Sequence, residues 1–151
     1  MVYKNEAGID SDITVSESDI ANLIRSKAAV YAGVSMLIRH MGLTFDGIDK
    51  LYVAGGFGNF LDVQKSVFIG LLPDLPIDKF EFIGNSSLSG ARQSLLSAGD
   101  FLNAKAIAQN MMYVELSVEP SFMNEYVSAI FLPHTHTELF HSVMGGLAEN
   151  V

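Results

Sequence analysis

The chain has 151 residues, enough for one compact core and too few to make two domains the default. Hydrophobic residues make up 49% and charged residues 17%, which excludes disorder and implies either a large buried interior or a surface that meets another domain. A net charge of −8 with only nine Lys and Arg argues against nucleic acid as a partner, and the lack of cysteine excludes disulfides, thiolate-held zinc and cysteine-ligated iron–sulfur clusters within these residues.

No stretch reaches the roughly 18 uninterrupted apolar residues of a membrane span. The opening residues Met1 to Glu6 carry no signal-peptide core, so the expected setting is the cytoplasm, with no membrane partner. In the first 17 residues, Val2-Tyr3 and Ile13-Thr14-Val15 are candidate edge strands around a turn-like Gly8 to Asp12. Ser16 followed by Asp19 matches a capping box and predicts a helix from about Ser18. Ile20, Leu23, Ile24, Tyr31, Val34, Ile38 and Met41 then recur at three- and four-residue steps, one face of a helix that Gly42 stops.

Leu51 to Ala54 reads as a strand covered on both faces and ends on Gly55 and Gly56. Asp62 can cap a short helix over 63–69, closed by Gly70 and Pro73. Phe80 to Ile83 is a second strand, followed by the turn Gly84-Asn85-Ser86 and a helix over 88–97. A helix capped by Asp100, a strand over 113–117 and a helix opened by Pro120 complete the pattern. Alternating helices and apolar strands predict an α/β fold with a mostly parallel sheet flanked by helices. The expected organisation is an N-terminal segment over 1–17, an α/β lobe over 18–133 and a tail over 134–151.

In open α/β sheets ligands settle beyond the carboxyl ends of the strands, where Gly55-Gly56-Phe57-Gly58-Asn59 and Gly84-Asn85-Ser86-Ser87 fall. Glycine permits positive φ and lets a ligand approach the backbone, while free amides at a helix start favour an anion such as phosphate. A sharp corner after a buried strand would use the same glycines, so both readings stand. The turn is neither a Rossmann fingerprint, which needs a third spaced glycine, nor a Walker loop, which ends Gly-Lys-Ser/Thr. Gly90, inside a predicted helix, is read as allowing close packing on the sheet.

Lys27 projects from the apolar stripe of the first helix. It either snorkels at the rim of the core or reaches a bound phosphate or acidic partner. His40 suits a helix C-terminus, and His134-Thr135-His136 could hold a metal but lacks further ligands at convincing spacing. No nucleophile elbow or zincin motif is present, so the residues alone describe a ligand-binding half-site without a catalytic group.

The segments "IDKLYVAGGFGNFLD", "IGLLPDLP", "FIGNSSLSGA" and "YVELSVEPSFMNEYVSAIFLPH" together resemble the C-terminal domain of the reductive activators of corrinoid proteins, members of the actin-like (ASKHA) ATPase superfamily. The resemblance implies one lobe of an actin-like, ribonuclease-H-like fold. It implies that Gly55 and Gly56 match the glycine pair of the adenosine motif, followed by Asn59, with Asn85, Ser86 and Ser87 as second-side contacts. "SKAAVYAG" is similar to a helix of that family that carries a lysine, which adds Lys27 to the expected nucleotide-binding residues.

The same resemblance implies ATP with Mg, an iron–sulfur cluster in a ferredoxin-like domain outside this chain, and a corrinoid protein reduced from Co(II) to Co(I). The partners it implies are that corrinoid protein, the other ATPase lobe and the ferredoxin domain. With no cysteine and only 17 residues before the first helix, the chain is expected to be a C-terminal fragment without ATPase activity of its own. A non-catalytic dimerisation or docking module of the same redox protein is the alternative.

Overall fold

The computed structural model describes residues 2–6, 8–56 and 58–148, with only the backbone described for Asn59, Ser117, Leu147 and Ala148. Helix α1 runs Glu17–His40 and opens on the capping box read from the sequence. The Ser16 hydroxyl accepts from the Asp19 amide at 3.3 Å, and the Asp19 carboxylate accepts from the Ser16 amide at 2.8 Å. At the other end Gly42 adopts φ 69°, its amide donates to Arg39 and the Leu43 amide donates to Ile38, the paired bonds of a Schellman stop.

The buried face of α1 differs from the apolar stripe. It consists of Lys27, Ala28, Tyr31, Ala32, Ser35 and Met36, while Ile20 and Leu23 are half exposed. Helix α5, Phe122–Ala129, packs along α1, and the small residues at 28, 32 and 35 let the two approach. At about 1.5 Å per residue, the eight residues of α5 cover only about a third of α1, so its first turns stay open.

Strand β1, Leu51–Ala54, pairs in parallel with β2, Phe80–Gly84, in the register Leu51↔Phe80, Tyr52↔Glu81 and Val53↔Phe82. These are the only paired strands among the described residues beyond a single antiparallel bridge of Val2 with Ile13. The expectation that β1 is covered on both faces does not hold, because Leu51 and Val53 are half-buried and Tyr52 is exposed. Helix α2, Val63–Phe68, lies between the strands and begins on the Asp62 cap, whose carboxylate accepts from the Lys65 amide.

Helices α3, Ser86–Leu96, and α4, Ala98–Asn110, pack on each other and bury no residue. Ser97 rather than Asp100 caps α4, because its hydroxyl accepts from the Asp100 amide at 3.2 Å. Gly90 is not a close-packing position, since a Cβ there would meet nothing within 4 Å. The segment 113–117 forms no strand: among the described residues no strand pairs with it, Tyr113 is exposed, and its hydroxyl turns to Glu115. Pro120 lies in a turn, and α5 starts two residues later behind Ser121.

The residues expected as a tail fold inward. Helix α6, His141–Ala148, sends Val143 into the core beside Phe140, which is fully buried. The core is Ala28, Tyr31, Val67, Ala129, Phe140 and Val143, drawn from α1, α2, α5 and α6 and edged by Phe45, Phe80 and Tyr126. Gly70, at φ 74°, permits the tightest approach of any glycine to the described residues: a Cβ there would run into the Pro133 carbonyl, 2.8 Å from its carbon.

Candidate functional site

Parallel pairing of β1 with β2 brings the two polar turns to one end of the sheet. The Gly55 amide donates to the Gly84 carbonyl at 2.7 Å, so the turns are joined at their first residues. Both glycines hold positive φ, 103° at Gly55 and 63° at Gly84, conformations that a side chain would strain. Gly58 has a packing reason, because a Cβ on it would lie 3.2 Å from Val53 Cγ1. Gly56 has neither reason. Its φ is not positive, it is exposed, and among the described residues beyond its chain neighbours a Cβ on it would meet nothing within 4 Å.

Asn85 is the N-cap of α3, with its side-chain oxygen accepting from the Leu88 amide at 3.0 Å. Ser86 and Ser87 form the exposed first turn of α3, beside Gly55 through the Gly84 bond. The amides at the start of α3 therefore open towards the same end of the sheet as the glycine turn. The Asn59 backbone belongs to a single 3-10 turn, Gly58–Phe60, that follows the glycines.

Lys27 does not snorkel. It is fully buried, and its ammonium donates to the Phe131 carbonyl and, at 2.8 Å, to the Pro133 carbonyl. Burial lowers its pKa to about 8. The bonds tie the middle of α1 to the segment after α5, a structural role that uses at least two of its three donors.

A second polar cluster lies in the core and was not legible in the sequence. Arg39 pairs with the buried Glu125 at 2.8 Å, and the other Glu125 oxygen lies 3.7 Å from Nε2 of the buried His134. Neither that oxygen nor Nε2 has a hydrogen-bond partner among the described residues. His134 Nδ1 accepts from the His136 amide at 3.0 Å, which places the neutral imidazole's proton on Nε2, facing Glu125. Desolvation lowers the His134 pKa against the opposing pull of Glu125. With Arg39 and Glu125 86 positions apart, no local spacing announces this cluster. Among the described residues, no group of three or more His, Asp and Glu is placed to hold a metal. No described helix is long and apolar enough to cross a membrane.

Comparison with known proteins gives consistent relatives. The chain is 33% identical over 116 residues to the corrinoid activation enzyme RamQ of Eubacterium limosum, covering 77% of this chain and 20% of the relative. It is 23% identical over 117 residues to the [Co(II) methylated amine-specific corrinoid protein] reductase of Methanosarcina barkeri, covering 76% of this chain and 22% of that protein. A solved structure of a reductive activator for corrinoid, iron–sulfur protein superposes with a TM-score of 0.89 at 49% identity, over 94% of this chain and 23% of the other. The chain thus spans about a fifth of the length of the curated relatives it matches. Residues 1–144 match the family model described as the C-terminal domain of RACo, the ASKHA domain, and the chain belongs to that family, with its actin-like α/β fold of helices flanking a small parallel sheet.

Proposed function

We propose that this chain supplies the adenosine side of an ATP site in a reductive activator of corrinoid proteins. The observation that carries the reading is Gly56, a glycine that neither its backbone conformation nor its packing requires. Leaving out a Cβ there gives free approach to the backbone from outside the chain, as a bound nucleotide needs. Gly55, Gly56 and Asn59 are the main contacts, and Asn85, Ser86 and Ser87 approach from the second turn. The exposed start of α3 offers amide donors to the nucleotide's polar groups.

The full-length protein then binds ATP with Mg between this lobe and another. An iron–sulfur domain outside this chain delivers the electron that takes the corrinoid cobalt from Co(II) to Co(I). For a one-electron step, about 59 mV of unfavourable potential is a tenfold penalty, so nucleotide binding can drive the reduction through a coupling of ordinary size. Lys27 is left out of the contact set, because its donors already serve the carbonyls of 131 and 133.

The test is titration of the full-length protein with ATP after Gly56→Val. Since no described residue beyond its chain neighbours lies within 4 Å of the added Cβ, the variant is expected to fold and its nucleotide affinity to fall. Unchanged affinity removes the reading. A second reading, a docking or dimerisation module, is favoured by the α3–α4 pair, whose Leu88, Leu95, Leu96 and Ile107 are all exposed. Sedimentation separates the two: a tight dimer indifferent to nucleotide supports the second.

A further inference from the structure

A cavity of about 360 Å³ lies against the C-terminal half of α1, on the loop that enters β1 rather than the turn that leaves it. Its volume is at the lower end of the roughly 300–1,000 Å³ typical of small-molecule sites. Two side chains in its wall are almost completely buried in the fold, Tyr31 and Ser35, each 1% exposed. Neither hydroxyl has a hydrogen-bond partner among the described residues. Neither oxygen is among the fully buried unpartnered atoms, so each reaches the cavity, where a ligand or water can bond it.

The charge of the lining is one-sided. Asp46, Asp74 and Glu138 contribute three carboxylates. Asp74 receives two hydrogen bonds from Ser142 and Glu138 one from His136, which fix both groups, while the Asp46 carboxylate has no partner among the described residues. Arg39 is the one cation in the lining, and it is already paired with Glu125. His141 adds an imidazole. The half-buried Phe45 ring, 5.8 Å from the buried Tyr31 ring between centroids, adds aromatic surface of the kind that attracts cations.

We propose that this cavity is a binding site for a small aliphatic ammonium compound, its charge held by Asp46 and Glu138 and its N–H groups shared with the Tyr31 and Ser35 hydroxyls. A carboxylate or phosphate would meet three negative groups with no unpaired cation to offset them. The site is separate from the glycine turns and does not depend on the nucleotide reading.

The test is titration of the full-length protein with n-butylammonium chloride, followed by the ligand's own NMR relaxation, with sodium butyrate as the anionic control. Asp46→Asn removes the charge on an exposed loop, and Tyr31→Phe removes only the hydroxyl. Saturable binding is expected for the cation and not for butyrate. Each variant should bind at least about tenfold more weakly, the size of one lost charge-assisted hydrogen bond. Three results overturn the proposal: no saturation by about 10 mM, equal binding of butyrate, or unchanged affinity in both variants.

Discussion

Replacing glycine by alanine should have opposite effects at positions 70 and 90. At Gly70 the left-handed backbone, φ 74°, costs an alanine about 1–2 kcal/mol. The added Cβ also meets the Pro133 carbonyl, a backbone group fixed by the Lys27 ammonium at 2.8 Å. Overpacking against a neighbour that cannot yield costs about 1–3 kcal/mol more, so Gly70→Ala should destabilise by about 2–5 kcal/mol. Gly90 sits inside α3 with nothing within 4 Å of an added Cβ, and alanine there should stabilise the helix by about 1 kcal/mol. Hydrogen exchange at the α1 and α5 amides reads the first effect, and exchange within α3 the second, whatever length of protein carries the domain. Unchanged protection in Gly70→Ala, or reduced α3 protection in Gly90→Ala, would refute the reasoning.

Lys27→Met should destabilise by about 1–3 kcal/mol, because the buried carbonyls of Phe131 and Pro133 lose their donor. With the Lys27 pKa lowered to about 8, the folded form sheds its proton before the unfolded chain does. Stability therefore rises between about pH 8 and the ordinary lysine value near 10.4, and denaturation across that range should lose this rise in Lys27→Met. His134 has the opposite neighbourhood in pH. Its lowered pKa keeps it neutral in the fold while the unfolded chain takes up a proton below about 6.5, so stability falls as the pH drops through that value. Nitrogen NMR should show the proton on Nε2 at neutral pH; a proton on Nδ1 would contradict the bond from the His136 amide.

Features settled within a few residues were legible in the sequence. The Ser16–Asp19 box, the Gly42 stop and the Asp62 and Asn85 caps need only their own turn of chain to form. The two glycine turns could also be placed, because parallel strands joined by a helix must carry both turns at one end. The strand expected over 113–117 failed for the converse reason: a strand needs a partner, and apolar alternation cannot say whether one is near. The sequence signal for helix α6 is Phe140, Val143, Met144 and Leu147 at helical spacing, obscured by Gly145 and Gly146. The true environment of Lys27, and the meeting of Arg39, Glu125 and His134, are long-range facts that no window of sequence contains.

The bonds from Lys27 to residues 131 and 133 span 104 and 106 positions of the chain. At synthesis rates of about 5–20 residues per second, α1 therefore waits about 5–20 s on the ribosome before its lysine can be received. During that interval the helix carries an unmatched cation in the middle of its packing face. Any apolar surface that closed on that face before residues 131 and 133 arrive would bury the cation without its carbonyl partners, at an energetic cost.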